Sequence, residues 1–323
     1  MFNSHGNDPA DALFRTHQTM GQGGEFDTIR MLMERWGPLA VDIGDDAAVL
    51  PRIASGHRVV STDACVEDVH FKRAWITPFE VGARAAAAAL SDLAAMGARA
   101  ECLLVAFVVP PSWEADLPAV ADGIGDQVRQ AGARIVGGNL SRGHAFAISL
   151  TVIGCAERPV SRAGAQVGDL VVVTGTLGGP GAAVDAWLAG ASPSAWARAR
   201  FASPSPRLAE GQALAAAGAT AMLDISDGLA ADARHLGAAS GVSLQLNATQ
   251  LPVGPGVTPA SALQSGEEYE LLATIPPAAF VALAGHWEAL GGVPLTVVGT
   301  VVALDNGATA AAVAPGHDHF ARR

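Results

Sequence analysis

At 323 residues, half of them apolar, the chain is long enough for two domains with full hydrophobic cores. With 31 acids against 20 lysines and arginines the net charge is −11, which argues against nucleic acid or an anionic membrane surface as the main partner. Anionic substrates must then be drawn in by local cations, because the global field repels them. No segment approaches the ~20 apolar residues that span a bilayer. Residues 1–24 lack the basic start and apolar core of a signal peptide and read as a disordered lead-in. Cys65, Cys102 and Cys155 lie far apart without metal-type spacing, which suits a reducing, cytoplasmic compartment.

Phe26, Ile29 and Met33 fall at helical spacing and predict a helix over 25–36. Short strands follow at 47–50 and 58–62, the second delivering Asp63 at its C-terminal end. Pro78 opens a helix over 79–96 that Gly97 stops, and its alanine run reads as compositional bias. The apolar run 102–109, closed by Pro110-Pro111, predicts a buried strand. A helix over 113–131 leads to a strand at 134–136 that breaks at Gly137-Gly138-Asn139, and 145–153 alternates as a further strand. Arg158, Pro159, Arg162, Gly164 and Gly168 mark a domain boundary. This divides the chain into the lead-in 1–24, an N-terminal domain 25–157 and a C-terminal domain 158–323. In the second domain strands are expected at 170–174, 221–225, 242–246, 271–275 and 295–302, with helices after the glycine-rich turn 175–181, to about 217, over 227–239 and over 277–290. Alternating strands and helices in both halves give an α/β or α+β class with two lobes.

The chemistry concentrates in acids. Between Asp42 and His70 lie Asp42, Asp45, Asp46, Asp63, Glu67 and Asp68, with no lysine and only Arg52 and Arg58 as cations. Two like charges ~4 Å apart cost roughly 4 kcal/mol at an effective dielectric near 20. The remedies are raised pKa values, partner cations or divalent metal. Taken alone, a solvated acidic loop explains this stretch equally well. Asp224-Ile-Ser-Asp-Gly-Leu229 is a second acidic focus, where Ser226 reads as an N-cap and Asp227 as a first-turn acid. Capping does not explain Asp224, a carboxylate in an apolar strand. Asp92 is the only acid after Glu80 on the alanine-rich helix. The turn 175–181 lacks the Gly-Lys-Ser/Thr ending of a P-loop and is better explained as a tight strand–helix turn. No Gly-x-Ser-x-Gly elbow or paired-His motif is present, so phosphoryl transfer, which needs positioning and divalent metal, fits best.

Gly24-Glu-Phe, Ile43-Gly-Asp-Asp-Ala-Ala-Val-Leu, Ser61-Thr-Asp, Val69-His-Phe, Leu90-Ser-Asp-Leu-Ala-Ala-Met-Gly-Ala, Asp224-Ile-Ser-Asp-Gly-Leu, Ser265-Gly-Glu-Glu-Tyr-Glu-Leu and Asp318-His-Phe320 occur in one order from residue 24 nearly to the end. Together they resemble the thiamine-monophosphate kinase family. The resemblance implies the two-domain fold of aminoimidazole ribonucleotide synthetase, with the N-terminal domain dimerising through its sheet. It implies that ATP passes its γ-phosphate to thiamine monophosphate with several Mg²⁺ ions and no covalent nucleophile. Carried over motif by motif, Asp46, Asp63, Asp92, Asp224 and Asp227 hold Mg²⁺, joined by Ser61 and Thr62. Gly138, Asn139, Arg162 and Ser226 contact ATP, and His70, Glu267 and Phe320 face the thiamine phosphate. Asn139 stands where relatives often carry Asp, and His317 where a tyrosine is frequent. Two alternatives stand beside this reading: a catalytically weakened nucleotide-binding paralogue, which Asn139 motivates, and another ATP-dependent enzyme of the same superfold.

Overall fold

The computed structural model describes residues 45–53, 56–287, 289 and 292–304. The predicted helix over 25–36, the lead-in, His317 and Phe320 lie outside them. Strands β1 (Ala48–Ile53), β2 (Gly56–Val66), β3 (Arg99–Val109), β4 (Arg134–Arg142) and β5 (Ala147–Ala156) form one sheet in the order β1-β2-β5-β3-β4. Its pairs are antiparallel except β3–β4. A parallel pair needs a crossover, and helix α2 (Leu117–Gln130) provides it.

Helix α1 (Pro78–Ala95) packs on β2, β5 and α2, and on its other side meets the second lobe. Thr77 and Glu80 close a capping box at its start, and Gly97 takes a left-handed φ of 65° just past its end. The alanine run is therefore more than compositional bias. A helix buried almost all round must carry small side chains to fit between two layers. Where α1 crosses α2 the backbones touch: a Cβ at Gly82 would lie 1.9 Å from the Val120 carbonyl oxygen.

The second sheet has β6 (Leu170–Thr174), β7 (Ala221–Asp224), β8 (Val242–Leu246), β9 (Leu271–Ile275) and β10 (Leu295–Ala303) in the order β7-β9-β6-β10-β8, all antiparallel. Helices α3 (Gly179–Leu188), α4 (Ala195–Ala202), α5 (Leu208–Ala217), α6 (Leu229–Ser240), α7 (Pro259–Gln264) and α8 (Pro277–Trp287) complete it.

Several expectations need correction. β2 runs on to Val66, because β5 pairs with it from His57 to Val66, so Asp63 sits inside the strand and not at its end. β4 does not break at Gly137-Gly138-Asn139; the glycines let it lie close on β3, where a Cβ at Gly138 would meet the Val105 carbonyl at 1.8 Å. β3 is not buried throughout, since Leu104 and Val108 face outward. Helix α6 starts at Leu229, and Gly228, with φ 107°, is its N-cap in place of Ser226. Helix α4 had no clear signal in its sequence, Ala-Trp-Ala-Arg-Ala-Arg-Phe-Ala.

Candidate active site

A cavity of about 860 Å³ opens between the two lobes, and residues from both sheets line it. Its floor is one stripe of α1, with Arg84, Ala88 and Asp92 at intervals of four residues. The facing wall is β2 from Ser61 to Cys65. These two elements run from the polar end of the cavity towards its aromatic end.

At the polar end Ser61 Oγ donates to Asp92 Oδ2 at 2.5 Å, which ties β2 to α1. Asp92, Asp46 and Asp224 each bring one carboxylate oxygen within 4.8 Å of the others. Burial, reinforced by Asp224 and Asp46, holds the Asp92 carboxyl well above its usual range. Burial and Asp46 likewise push Asp224 up to about 8. Arg162, from the inter-domain segment, grips Asp46 in a bidentate pair, Nε to Oδ2 at 2.9 Å and Nη2 to Oδ1 at 2.7 Å. Its backbone N–H donates to Asp45, whose burial and nearness to Asp46 lift it to about 7. Two of the three remedies for clustered carboxylates are thus visible at once. The three hard oxygen donors of Asp46, Asp92 and Asp224 also fit the third, a divalent ion such as Mg²⁺.

Beside them Asp227, Asp232 and His235 form a second donor group. The Asp227 N–H donates to Asp232 Oδ2 at 3.1 Å, and His235 Nε2 lies 3.8 Å from Asp227 Oδ2. Burial, then Arg162, pushes His235 down to about 4, so its imidazole is neutral at neutral pH.

The segment Gly266-Glu267-Glu268-Tyr269-Glu270 lies alongside the Asp224–Asp227 focus, the Glu267 and Tyr269 N–H groups donating to the Ser226 and Ile225 carbonyls, and folds as a two-sided strip. Glu267 and Tyr269 have φ of 57° and 52° and face the cavity. Glu268 and Glu270 point the opposite way, into protein. Glu270 there accepts from Arg200, Arg207 and Thr174. Glu268 accepts from Gly178 N–H and Ser265 Oγ, both at 2.5 Å. The strained backbone of Glu267 and Tyr269 is thus anchored by buried ion pairs behind it. Arg84 pairs with Glu267 at 2.5 Å and stacks 3.8 Å over the Phe201 ring. His70 Nδ1 accepts the Val66 N–H at 3.1 Å, which leaves the proton on Nε2.

The cavity brings together Asp46, Asp63, Asp92, Asp224 and Asp227 with Ser61, Thr62, Arg162, Ser226, His70 and Glu267. Gly138 and Asn139 are not part of its wall. Through the paired strands Gly138 is level with Asp63 and Asn139 with Ala64, but three strand spacings away, ~14 Å. Asp46, not Asp45, joins Asp92 and Asp224. Sequence reasoning missed Arg84, Trp75, Asp232 and His235. Arg84 left a trace as the one cation on α1, eight residues from Asp92; the rest leave none.

The models of AIR synthase related protein match the chain in two parts, the N-terminal domain over residues 44–156 and the C-terminal domain over 166–310. Thiamine-monophosphate kinase of Mycobacterium tuberculosis is 39% identical over 272 residues, covering 79% of this chain and 81% of that protein. That of Escherichia coli K12 is 33% identical over 328 residues, covering 92% and 98%. The chain belongs to the thiamine-monophosphate kinase family. Among solved structures of the family, AaThiL complexed with AMPPCP and TMP has a TM-score of 0.78 at 30% identity, covering 87% of this chain and 92% of that one. The hydrogenase maturation protein HypE in complex with ATP, at 21% identity and a TM-score of 0.65, shares the fold. The expected two-domain synthetase-like fold is the one found.

Proposed function

We propose that this chain is a kinase that transfers the γ-phosphoryl group of ATP to the phosphate of thiamine monophosphate, giving thiamine diphosphate. The observation that carries this is the acid cluster Asp46, Asp92 and Asp224, drawn from both lobes onto one cavity wall in a member of this family. Donor and acceptor are both polyanions. Bound Mg²⁺ would supply the charge screening that lets them approach and would polarise the transferred group. Asp46, Asp92 and Asp224 would hold it, with Asp63, Asp227, Ser61 and Thr62 on the same cavity.

An oxygen of the thiamine phosphate attacks Pγ, the bond from Pγ to the bridging oxygen of ADP breaks, and ADP leaves with the electron pair. A phosphate oxygen is already nucleophilic at neutral pH, so no protein nucleophile is needed. Arg162 would exchange Asp46 for a phosphate oxygen, and Ser226 lines the same cavity. His70 and Glu267, which line the same cavity, would face the thiamine phosphate.

The reading extends to a homodimer. Every residue of β4 is exposed, and Ile135, Val136 and Leu140 are 48%, 59% and 64% accessible beside outward-facing Leu104 and Val108. An open edge this long and apolar calls for a partner. Gly138 and Asn139 lie on this edge strand, so the nucleotide contact expected of them would be made across the dimer.

The test is thiamine diphosphate formation and ADP release, each with and without thiamine monophosphate. Asp63→Ala and Asp227→Ala should each abolish the product while far-UV circular dichroism is preserved. Near-normal turnover in both rejects the metal assignment. ATP binding without turnover in the parent favours the weakened paralogue instead.

A further inference from the structure

The aromatic end of the cavity is built from residues that no motif singled out. Trp75 lines it, stacked on Trp187 at 4.9 Å with 7° between the planes, and Phe201 meets both rings edge-on at 6.0 and 5.2 Å. Phe201 is fully buried and holds the Arg84 guanidinium on its face, so the platform is locked to the floor helix. Two rulers set the distance of Arg84, held on the Phe201 ring, from the acids. Along α1, Arg84 and Asp92 are eight residues apart, ~12 Å. Along β2, Ser61, bonded to Asp92, and Cys65, which feels the Arg84 charge, are four residues apart, ~13 Å. Between the ends the floor is Ala85 and Ala88, low enough for a ligand to lie across.

The charge around the platform favours a cation. Asp68, Asp185 and Glu267 face the same cavity as Lys72 and Arg84, so carboxylates are in excess, and Glu267 already neutralises Arg84. With Trp187 stacked on Trp75, the Lys72 ammonium stands 5.4 Å over the Trp75 ring, the place that a bound cationic ring would take over from it. We infer that Trp75, backed by Trp187 and Phe201, is the platform on which the flat, cationic heteroaromatic part of the phosphate acceptor lies while its phosphate reaches the acids. The inference rests on the proposed acceptor and makes Trp75 a specificity-determining residue.

Calorimetric titration with thiamine monophosphate and Mg²⁺, alongside steady-state kinetics, tests it on the parent, Trp75→Leu and Trp75→Phe. Loss of one stacked ring should weaken acceptor binding in the Leu variant about tenfold or more. The Phe variant should keep most of the affinity, and the KM for ATP should not move in either. Unchanged acceptor affinity in the Leu variant overturns the inference. So does equal loss in Leu and Phe, the mark of a packing role, or a rise in the KM for ATP alone. If the parent binds thiamine monophosphate through Trp75 without transferring phosphate, the kinase reading falls and this one stands. A parent that binds none overturns this one.

Discussion

Arg162 and Asp46 hold each other across the domain boundary, and the pair explains how the apoprotein tolerates its acids. Without a cation, Asp46, Asp92 and Asp224 repel one another inside protein, and the guanidinium answers that repulsion where Mg²⁺ is proposed to bind. Arg162→Met leaves the cluster uncompensated, and breaking such a pair costs about 3–5 kcal/mol. Urea unfolding without Mg²⁺ should show that loss, and added Mg²⁺ should restore more stability to the variant than to the parent. An unchanged midpoint would mean that Arg162 is not the counter-ion. Ala88 makes the opposite case, a residue that matters through what it lacks. Ala88→Leu projects into the cavity floor, and a steric cost of about 1–3 kcal/mol lowers kcat/KM for the acceptor roughly tenfold or more. Its urea midpoint should stay near the parent's, because the added atoms enter the cavity and not the core.

The strip from Gly266 to Glu270 works as an element with two faces. Glu267 and Tyr269 serve the cavity only because Glu268 and Glu270 are held from behind. Burial lifts the Glu268 carboxyl to about 7, with Ser265, Gly178 and Arg200 pulling the other way and one of its oxygens lacking a hydrogen bond. Because the folded value lies above the unfolded one, the associated stability is full below about pH 4.5 and is lost as pH rises through about 7. A shift of this size corresponds to roughly 3 kcal/mol. Glu268→Gln should remove that part of the decline, and urea midpoints at pH 5 and pH 8 for both proteins measure it. Parallel slopes in the two proteins would contradict the assignment.

At the scale of the whole molecule the open question is what covers the β3–β4 face. Leu140→Lys places a charge in the middle of the proposed interface, so light scattering should show a dimer for the parent and a monomer for the variant. Folding of the single chain should be little affected, since Leu140 is already exposed. A monomeric parent would remove the dimer from the reading, together with the nucleotide role given to Gly138 and Asn139.

Local patterns in the chain were enough to set strands 170–174 and 242–246 and helix α1 with its glycine stop, while the motifs of the family resemblance named most of the acids that line the cavity. Those features depend on periodicity, capping and residue type, which neighbouring residues decide among themselves. The continuation of β2 past Asp63 depended on β5, and the passage of β4 through two glycines depended on β3. The pairing of Arg162 with Asp46, 116 residues away, arises only when the lobes close on each other. The aromatic platform is likewise a product of assembly, because Trp75, Trp187 and Phe201 come from three separate elements. Contacts of that kind have no period along the chain, and only packing brings them into being.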